Sequence, residues 1–184
     1  MDDKPQTVCL RYYGISPWEI EVIYNLFNGK FSIIQEETEQ NKESFVSALT
    51  IDIPLQFSEE FFKWFEFKAW EKVKSIIKEM KRRRGKGNAI MAELLFTGNP
   101  NVRFVIDLNE NHNFNSAVEK IDFVVELLPY HLNEDNIPND LSEVLYKYDI
   151  ESGKWKLNHV WTGLKNSVGR KKFILTKKGW EIIT

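Results

Sequence analysis

Two clusters of basic side chains are the residues in this sequence whose types and spacing could do chemistry. One cluster ends a predicted helix, and the other lies in the C-terminal tail. Lysine and arginine neutralise phosphates, and a guanidinium can hold a phosphate through two hydrogen bonds, so both clusters predict contact with a nucleic-acid backbone. The predicted contact residues are Lys81, Arg82, Arg83, Arg84 and Lys86 in the first cluster, and Lys165, Arg170, Lys171, Lys172, Lys177 and Lys178 in the second.

The charge of the chain is divided into blocks, although the formal net charge is only −2. Residues 71–87 hold 8 basic and 2 acidic groups, and residues 151–184 again hold 8 and 2. Residues 1–70 carry a net charge of −6, and residues 88–150 carry −8. The clusters would form one cationic face if folding brought them together. The acidic blocks could instead neutralise them, and a basic helix end is also typical of a solvated terminus that complements the helix dipole.

Three functions remain open on these residues. The first is a non-catalytic binding or accessory protein that contacts the phosphate backbone of RNA or DNA through both clusters. The second is a protein-interaction or inhibitor-type domain, whose surface would combine aromatic side chains with the acidic residues Glu36, Glu37, Glu39 and Glu43. The third is an enzyme whose catalytic residues are distant in sequence.

Carboxylates of a predicted hairpin are the best candidates for acid–base chemistry. Because side chains alternate along a strand, a turn at residues 97–101 would place Glu93, Arg103 and Asp107 on one face. A cross-strand ion pair accounts for these residues without catalysis. The sequence therefore predicts no catalytic residue.

Spacing typical of a metal or cofactor site is missing from the sequence. The alternating polar residues from Asp107 to Asn115 are similar to a calcium loop, but His112 stands where glycine is needed and Val118 where a bidentate glutamate is needed. The histidines are far apart, and no glycine-rich phosphate-binding motif is present. We predict no metal and no cofactor.

The elements that must position these residues alternate irregularly between strands and helices. The predicted strands cover residues 7–13, 31–35, 45–55, 89–96 and 102–108. The predicted helices cover residues 17–28, 58–84 and 116–128. Ser16 with Glu19, and Ser116 with Glu119, match the capping box that opens a helix.

Residues 141–184 support two interpretations. In the first, residues 146–157 form a β-hairpin, and residues 173–176 pair with residues 180–183 in another. In the second, apolar spacing makes the segment a helix-turn-helix, and its tail, with Leu-Thr-Lys-Lys-Gly at residues 175–179, resembles the wing strand of winged-helix regulators. That resemblance implies a C-terminal winged helix. Hairpins are favoured because Ser152 and Gly153 would interrupt a continuous helix.

The element order predicts an α+β fold with a mixed or antiparallel sheet and helices packed on one face. A ferredoxin-like β-α-β-β-α-β core would fit the first six elements, with the C-terminal hairpins as an extension. The predicted organisation is a core domain at residues 1–132 and a basic extension or subdomain at residues 133–184. A single cysteine, no signal stretch at the N-terminus and no membrane-spanning apolar run predict a cytoplasmic protein without a membrane partner.

Overall fold

Nine β-strands form one open, mixed sheet in the computed structural model, which describes residues 6–133, 135, 137–164 and 168–183. The strands are β1 (Thr7–Tyr13), β2 (Ser32–Glu37), β3 (Ser47–Ile53), β4 (Ile90–Phe96), β5 (Asn101–Ile106), β6 (Leu141–Asp149), β7 (Lys154–Thr162), β8 (Lys171–Thr176) and β9 (Gly179–Ile183). Their order across the sheet is β2-β1-β3-β4-β5-β6-β7-β8-β9. The pairs β1–β2, β3–β4 and β5–β6 are parallel. The remaining neighbours are antiparallel.

Five α-helices lie within the described residues. They are α1 (Pro17–Phe27), α2 (Glu59–Phe65), α3 (Phe67–Arg84), α4 (Asn111–Glu119) and α5 (Val124–His131). Each parallel pair of strands is joined through helices, because parallel neighbours require a crossover connection. The predicted capping box of α1 is confirmed, since Ser16 and Glu19 bond each other's backbone amides. Among the helices of the described residues, none is long and apolar enough to cross a bilayer.

The core lies between the helices and one side of the sheet. On β4, Ile90, Ala92, Leu94 and Phe96 alternate toward this side and are almost completely buried. An aromatic group fills the space beneath α2 and α3, and its members are Phe57, Phe61, Phe62, Phe65, Trp70, Phe96 and Phe104. We call the opposite side of the sheet the open face. It carries the alternate residues Arg11, Thr50, Glu93, Arg103, Glu143, Trp161 and Lys172.

Two of the predicted helices differ from the structure. The prediction of one helix over residues 58–84 is wrong, because the backbone at Glu66 has a φ of 74° and separates α2 from α3. This break gives α2 a direction different from that of α3, and Phe61, Phe62 and Phe65 of α2 are all buried in the core. The predicted start at Ser116 is also wrong, since α4 begins at Asn111 and ends at Glu119. The asparagines of α4 are typical of turns, so the sequence predicts a loop where the chain forms a helix. This helix buries Phe114, Ala117 and Val118.

The sheet order decides between the alternatives for the two ends of the chain. β1 and β2 are direct parallel neighbours, whereas the split β-α-β of a ferredoxin-like core has another strand between them.

In the C-terminal part, β6 pairs with β5, so the described residues of 141–183 continue the same sheet. Those residues contain no helix, and the winged-helix interpretation is therefore wrong. Tyr148 lies opposite Trp155 where β6 pairs with β7.

Candidate functional site

Only part of the first basic cluster is exposed, namely Arg82, Arg83 and Lys86. Lys81 is fully buried and donates a hydrogen bond to the carbonyl oxygen of Gly87 at 2.9 Å. Burial lowers the pKa of its ammonium group. Arg82 and Arg83 both bind the carboxylate of Glu79, at 2.6 and 3.0 Å. Lys81 is therefore too buried to reach a phosphate, and the carboxylate of Glu79 offsets one of the two arginine charges.

Arg84 at the end of α3 is tied to the first turn of α1. Its two terminal nitrogens donate to the two carboxylate oxygens of Glu19, at 2.8 and 2.9 Å. Its Nε donates to the hydroxyl of Ser47 at 3.1 Å. The hydrogen bond from Arg84 is the largest cause that lowers the pKa of Glu19 to about 2. Arg84 thus joins α1, α3 and β3, and its guanidinium is engaged inside the protein. Lys86, the last member of the cluster, is exposed with the carboxylate of Glu110 at 3.9 Å.

Replacing Glu19 with glutamine should lower the free energy of unfolding at pH 7 by on the order of 2–3 kcal/mol. The folded-state pKa of about 2 lies below the ordinary value of 4.5. The contribution of Glu19 is therefore present above about pH 4.5 and is lost as the pH falls toward 2. Urea titrations of the two proteins at pH 7, 4 and 3 measure this. Their difference should shrink with acid, and a difference that stays constant contradicts the assignment to the ion pair.

The second basic cluster divides between the two sides of β8. Lys172 and the preceding Arg170 reach the open face, where both approach the ring of Trp161. Lys171 lies opposite Thr162 on the core side of the strand and is exposed. The remaining exposed members, in the turn between β8 and β9, are Lys177 and Lys178. The predicted contact at Lys165 lies outside the described residues.

The two clusters do not share a face. Arg84 contacts Ser47, the first residue of β3, on the helix side of the sheet. Lys172 pairs with Trp161, which lies opposite Glu143 near the other end of the sheet. Between β3 and β8 there are five strand spacings, a distance of about 24 Å. The condition for a single cationic face is therefore not met.

A chain of five ion-paired residues crosses the open face. Arg103 binds Glu93 and Glu143, each at 2.8 Å. Lys42 lies 3.6 Å from Glu93, and Arg170 lies 3.6 Å from Glu143. The predicted cross-strand ion pair between Glu93 and Arg103 is thereby confirmed. Three cations and two carboxylates give this ion chain a net charge of +1, and both carboxylates are buried.

The charges of the open face are held in place by their partners. Burial acts to lower the pKa of Arg103, but the hydrogen bonds and charges of Glu143 and Glu93 outweigh it and leave the pKa raised. The other carboxylate of the predicted acid–base group, Asp107, binds Lys147 at 2.8 Å. Glu93, Glu143 and Asp107 are thus all held in ion pairs, an arrangement typical of a structural network.

A polar cavity of about 200 Å³ lies beside the ion chain. Tyr13 and Thr50 line it from the strands, and Lys42 and Thr38 line it from the segment between β2 and β3. The hydroxyl of Tyr13 donates toward the carbonyl oxygens of Lys42 and Phe45, at 3.1 and 3.0 Å. Burial raises the pKa of Tyr13, so this donor keeps its proton at neutral pH. Tyr13 therefore fixes the connecting segment over one end of the open face.

Trp161 forms the aromatic part of the open face. Its ring is partly exposed, with the guanidinium of Arg170 5.5 Å and the ammonium of Lys172 5.3 Å from the ring centroid. The ring of His159 lies 6.1 Å away at an angle of 34°. Burial and the charges of Lys172 and Lys147 lower the pKa of His159, which is therefore neutral at pH 7. Sequence reasoning missed both rings, although their two-residue spacing beside a basic tail is a signal for a strand face.

The chain matches no protein-family model, no curated protein and no solved structure. Within the part of the chain that the structure describes, no group of three or more His, Cys, Asp or Glu side chains is arranged to hold a metal ion. The open face, where an aromatic ring meets several cations, is the feature that supports a function best.

Proposed function

We propose that the protein binds single-stranded nucleic acid on the open face of its sheet. Trp161 serves as the platform on which a base stacks, and Arg170 and Lys172 contact the phosphates on either side. Nucleic-acid contact thus remains the proposed function, as the basic residues predict, but it moves from two separate clusters to one face.

The observation that carries this proposal is the position of Trp161, a partly exposed ring on the open face with two cations within 5.5 Å of its centroid. Proteins that bind single strands combine aromatic side chains for stacking with a cationic path for the backbone. Sheet surfaces that carry such rings bind unpaired bases, because the bases of a single strand can turn outward. A paired duplex keeps its bases stacked inside, so this geometry favours single strands.

The charge around Trp161 supports the same ligand. Residues 151–184 hold 8 basic and 2 acidic groups. Lys171, Lys177 and Lys178 form no ion pair with another described residue. The ion chain adds a net positive charge to the open face, and two of its cations, Arg170 and Lys42, lie at the ends of the chain. A phosphate backbone is attracted to such a surface, and each neutralised phosphate releases counterions.

The variant Trp161→Ala should weaken binding of a fluorescein-labelled oligouridylate by about 10- to 100-fold, since stacking on one aromatic ring contributes about 1–3 kcal/mol. Fluorescence anisotropy at low salt measures the affinity. Lys172→Gln should weaken it less and should flatten its dependence on salt concentration, because one phosphate contact is removed.

Trp18→Ala is the matched control. Trp18 is an exposed tryptophan under the guanidinium of Arg83, 4.6 Å from its ring centroid, but it lies beside the first basic cluster. Trp18, like Trp161, is an aromatic ring next to a cation, but it lies outside the proposed site, so its loss should leave the affinity for oligouridylate unchanged. A loss of binding in Trp18→Ala alone would move the site to the first cluster. No binding by the unmodified protein at low salt would overturn the proposal.

A further inference from the structure

A second cavity, of about 610 Å³, lies beside Trp155, whose ring is on the core side of the sheet. It lies between the segment that joins α4 to α5 and the turn that joins β6 to β7. Phe123, Val124 and Leu127 form one wall, and the buried ring of Trp155 forms another. Its volume falls in the range of pockets that hold small molecules. The cavity thus has the size and the apolar walls of a ligand site.

Three of the residues that line this cavity are lysines, and one carboxylate, that of Asp149, binds the lining residues Lys156 and Ser152. Lys120, Lys154 and Lys156 line it, and none of its lining residues is aspartate or glutamate. Lys120 donates to the carbonyl oxygen of Gly153 at 2.9 Å, which positions the ammonium group beside the apolar walls. Lys156 is paired with Asp149, whereas Lys154 forms no ion pair with another described residue. Two of the three ammonium groups therefore have no carboxylate partner in the described structure.

A neutral donor accompanies these cations. His131 lines the cavity, and its Nδ1 lies 2.8 Å from the hydroxyl of Tyr146. Burial raises the pKa of Tyr146, so the hydroxyl keeps its proton at neutral pH and can donate a hydrogen bond to Nδ1. Burial also lowers the pKa of His131, which leaves the ring neutral, and the tautomer that accepts from Tyr146 has its one proton on Nε2. That proton is available for a hydrogen bond to an acceptor oxygen.

We infer that this cavity binds a small monocarboxylic acid with an apolar body, such as a medium-chain fatty acid. The apolar walls take the hydrocarbon part, and Lys120 and Lys154 hold the carboxylate, with His131 as a further donor. Charge complementarity selects an anion, because three of the lining residues are lysines, and two of these, Lys120 and Lys154, have no carboxylate partner in the described structure. Because Trp155 and Trp161 lie on opposite sides of β7, this site is independent of the proposed nucleic-acid surface.

The test is isothermal titration calorimetry of the full chain with decanoate and with 1-decanol, which has the same chain length and no charge. Decanoate should bind at least tenfold more tightly than decanol. Lys120→Met should remove this preference while decanol binding stays within about twofold. Equal affinity for the two ligands, or no heat from decanoate at millimolar concentration, would overturn the inference.

Two further variants test the site independently of Lys120, in case Lys120→Met disturbs the turn at Gly153. Lys154→Met removes a cation that is exposed and has no structural partner in the described residues, and it should weaken decanoate binding several-fold. Lys63→Met removes an exposed lysine on α2, which pairs with Glu59, and should leave both ligands unaffected. An equal loss in Lys154→Met and Lys63→Met would show that only overall charge matters, and the site would be rejected.

Discussion

Replacing Arg103 with methionine should lower the free energy of unfolding by about 3–5 kcal/mol, the usual cost of removing one partner from a buried ion pair. Arg103 alone binds both Glu93 and Glu143 at 2.8 Å. Without it, the nearest cations to the two carboxylates are Lys42 and Arg170, each at 3.6 Å. Methionine keeps the apolar part of the side chain, so the loss comes mainly from uncompensated buried charge. Urea titration at pH 7 measures it.

Removing the two carboxylates identifies the cause of this loss. Adding Glu93→Gln and Glu143→Gln to Arg103→Met should recover part of the stability at pH 7, because no buried carboxylate then lacks its partner. No recovery in the triple variant would instead indicate lost packing.

Arg11→Met is the matched control for the same face of the sheet. Arg11 pairs with Asp52 at 2.6 Å, but its side chain is 41% exposed. Exposed ion pairs contribute about 0–1 kcal/mol, so this variant should cost little. If Arg11→Met and Arg103→Met destabilise the protein equally, the ion chain does not depend on burial, and its role as the fixed base of the open face is wrong.

The local parts of the fold could be predicted from the sequence. The capping box of α1 depends on two residues three positions apart, and the shared face of Glu93 and Arg103 depends on a five-residue turn. The ion pairs of Arg82 and Arg83 with Glu79 could also be predicted, since Glu79 precedes them by three and four positions, the spacing of helical ion pairs. The net charge of a whole segment does not show which of its charged residues form ion pairs with each other.

The rest depends on contacts between distant parts of the chain. Arg84 and Glu19 are separated by 65 positions and meet only because α1 packs beside α3. Trp161 could be assigned to a strand face by its spacing from His159, but its contact with Lys172 depends on the pairing of β7 with β8. Strand order is likewise a global property, because each crossover helix must bury its apolar side against strands already paired.

The variant Phe62→Ala should lower the free energy of unfolding by about 3–5 kcal/mol, the cost of deleting a large ring from a packed core. Phe62 is 1% exposed. Its ring centroid lies 5.6 Å from that of Phe57 and 5.1 Å from those of Phe61 and Trp70. These rings also hold α2 against β4, so their rearrangement cannot fill the cavity without moving the helix. Thermal or urea unfolding measures the loss.

Phe67→Ala is the matched control, because it also deletes a phenylalanine ring, but from the exposed side of the same aromatic group. Phe67 stacks on Phe62 with centroids 5.9 Å apart, but it is 50% exposed. Because water already contacts half of this ring, its loss should cost about 1 kcal/mol. Similar losses in the two variants would mean that the break at Glu66 does not direct Phe62 inward.

At a temperature where the Phe62→Ala variant remains folded, the affinity of this variant for oligouridylate should match that of the unmodified protein, because the aromatic core and the open face lie on opposite sides of the sheet.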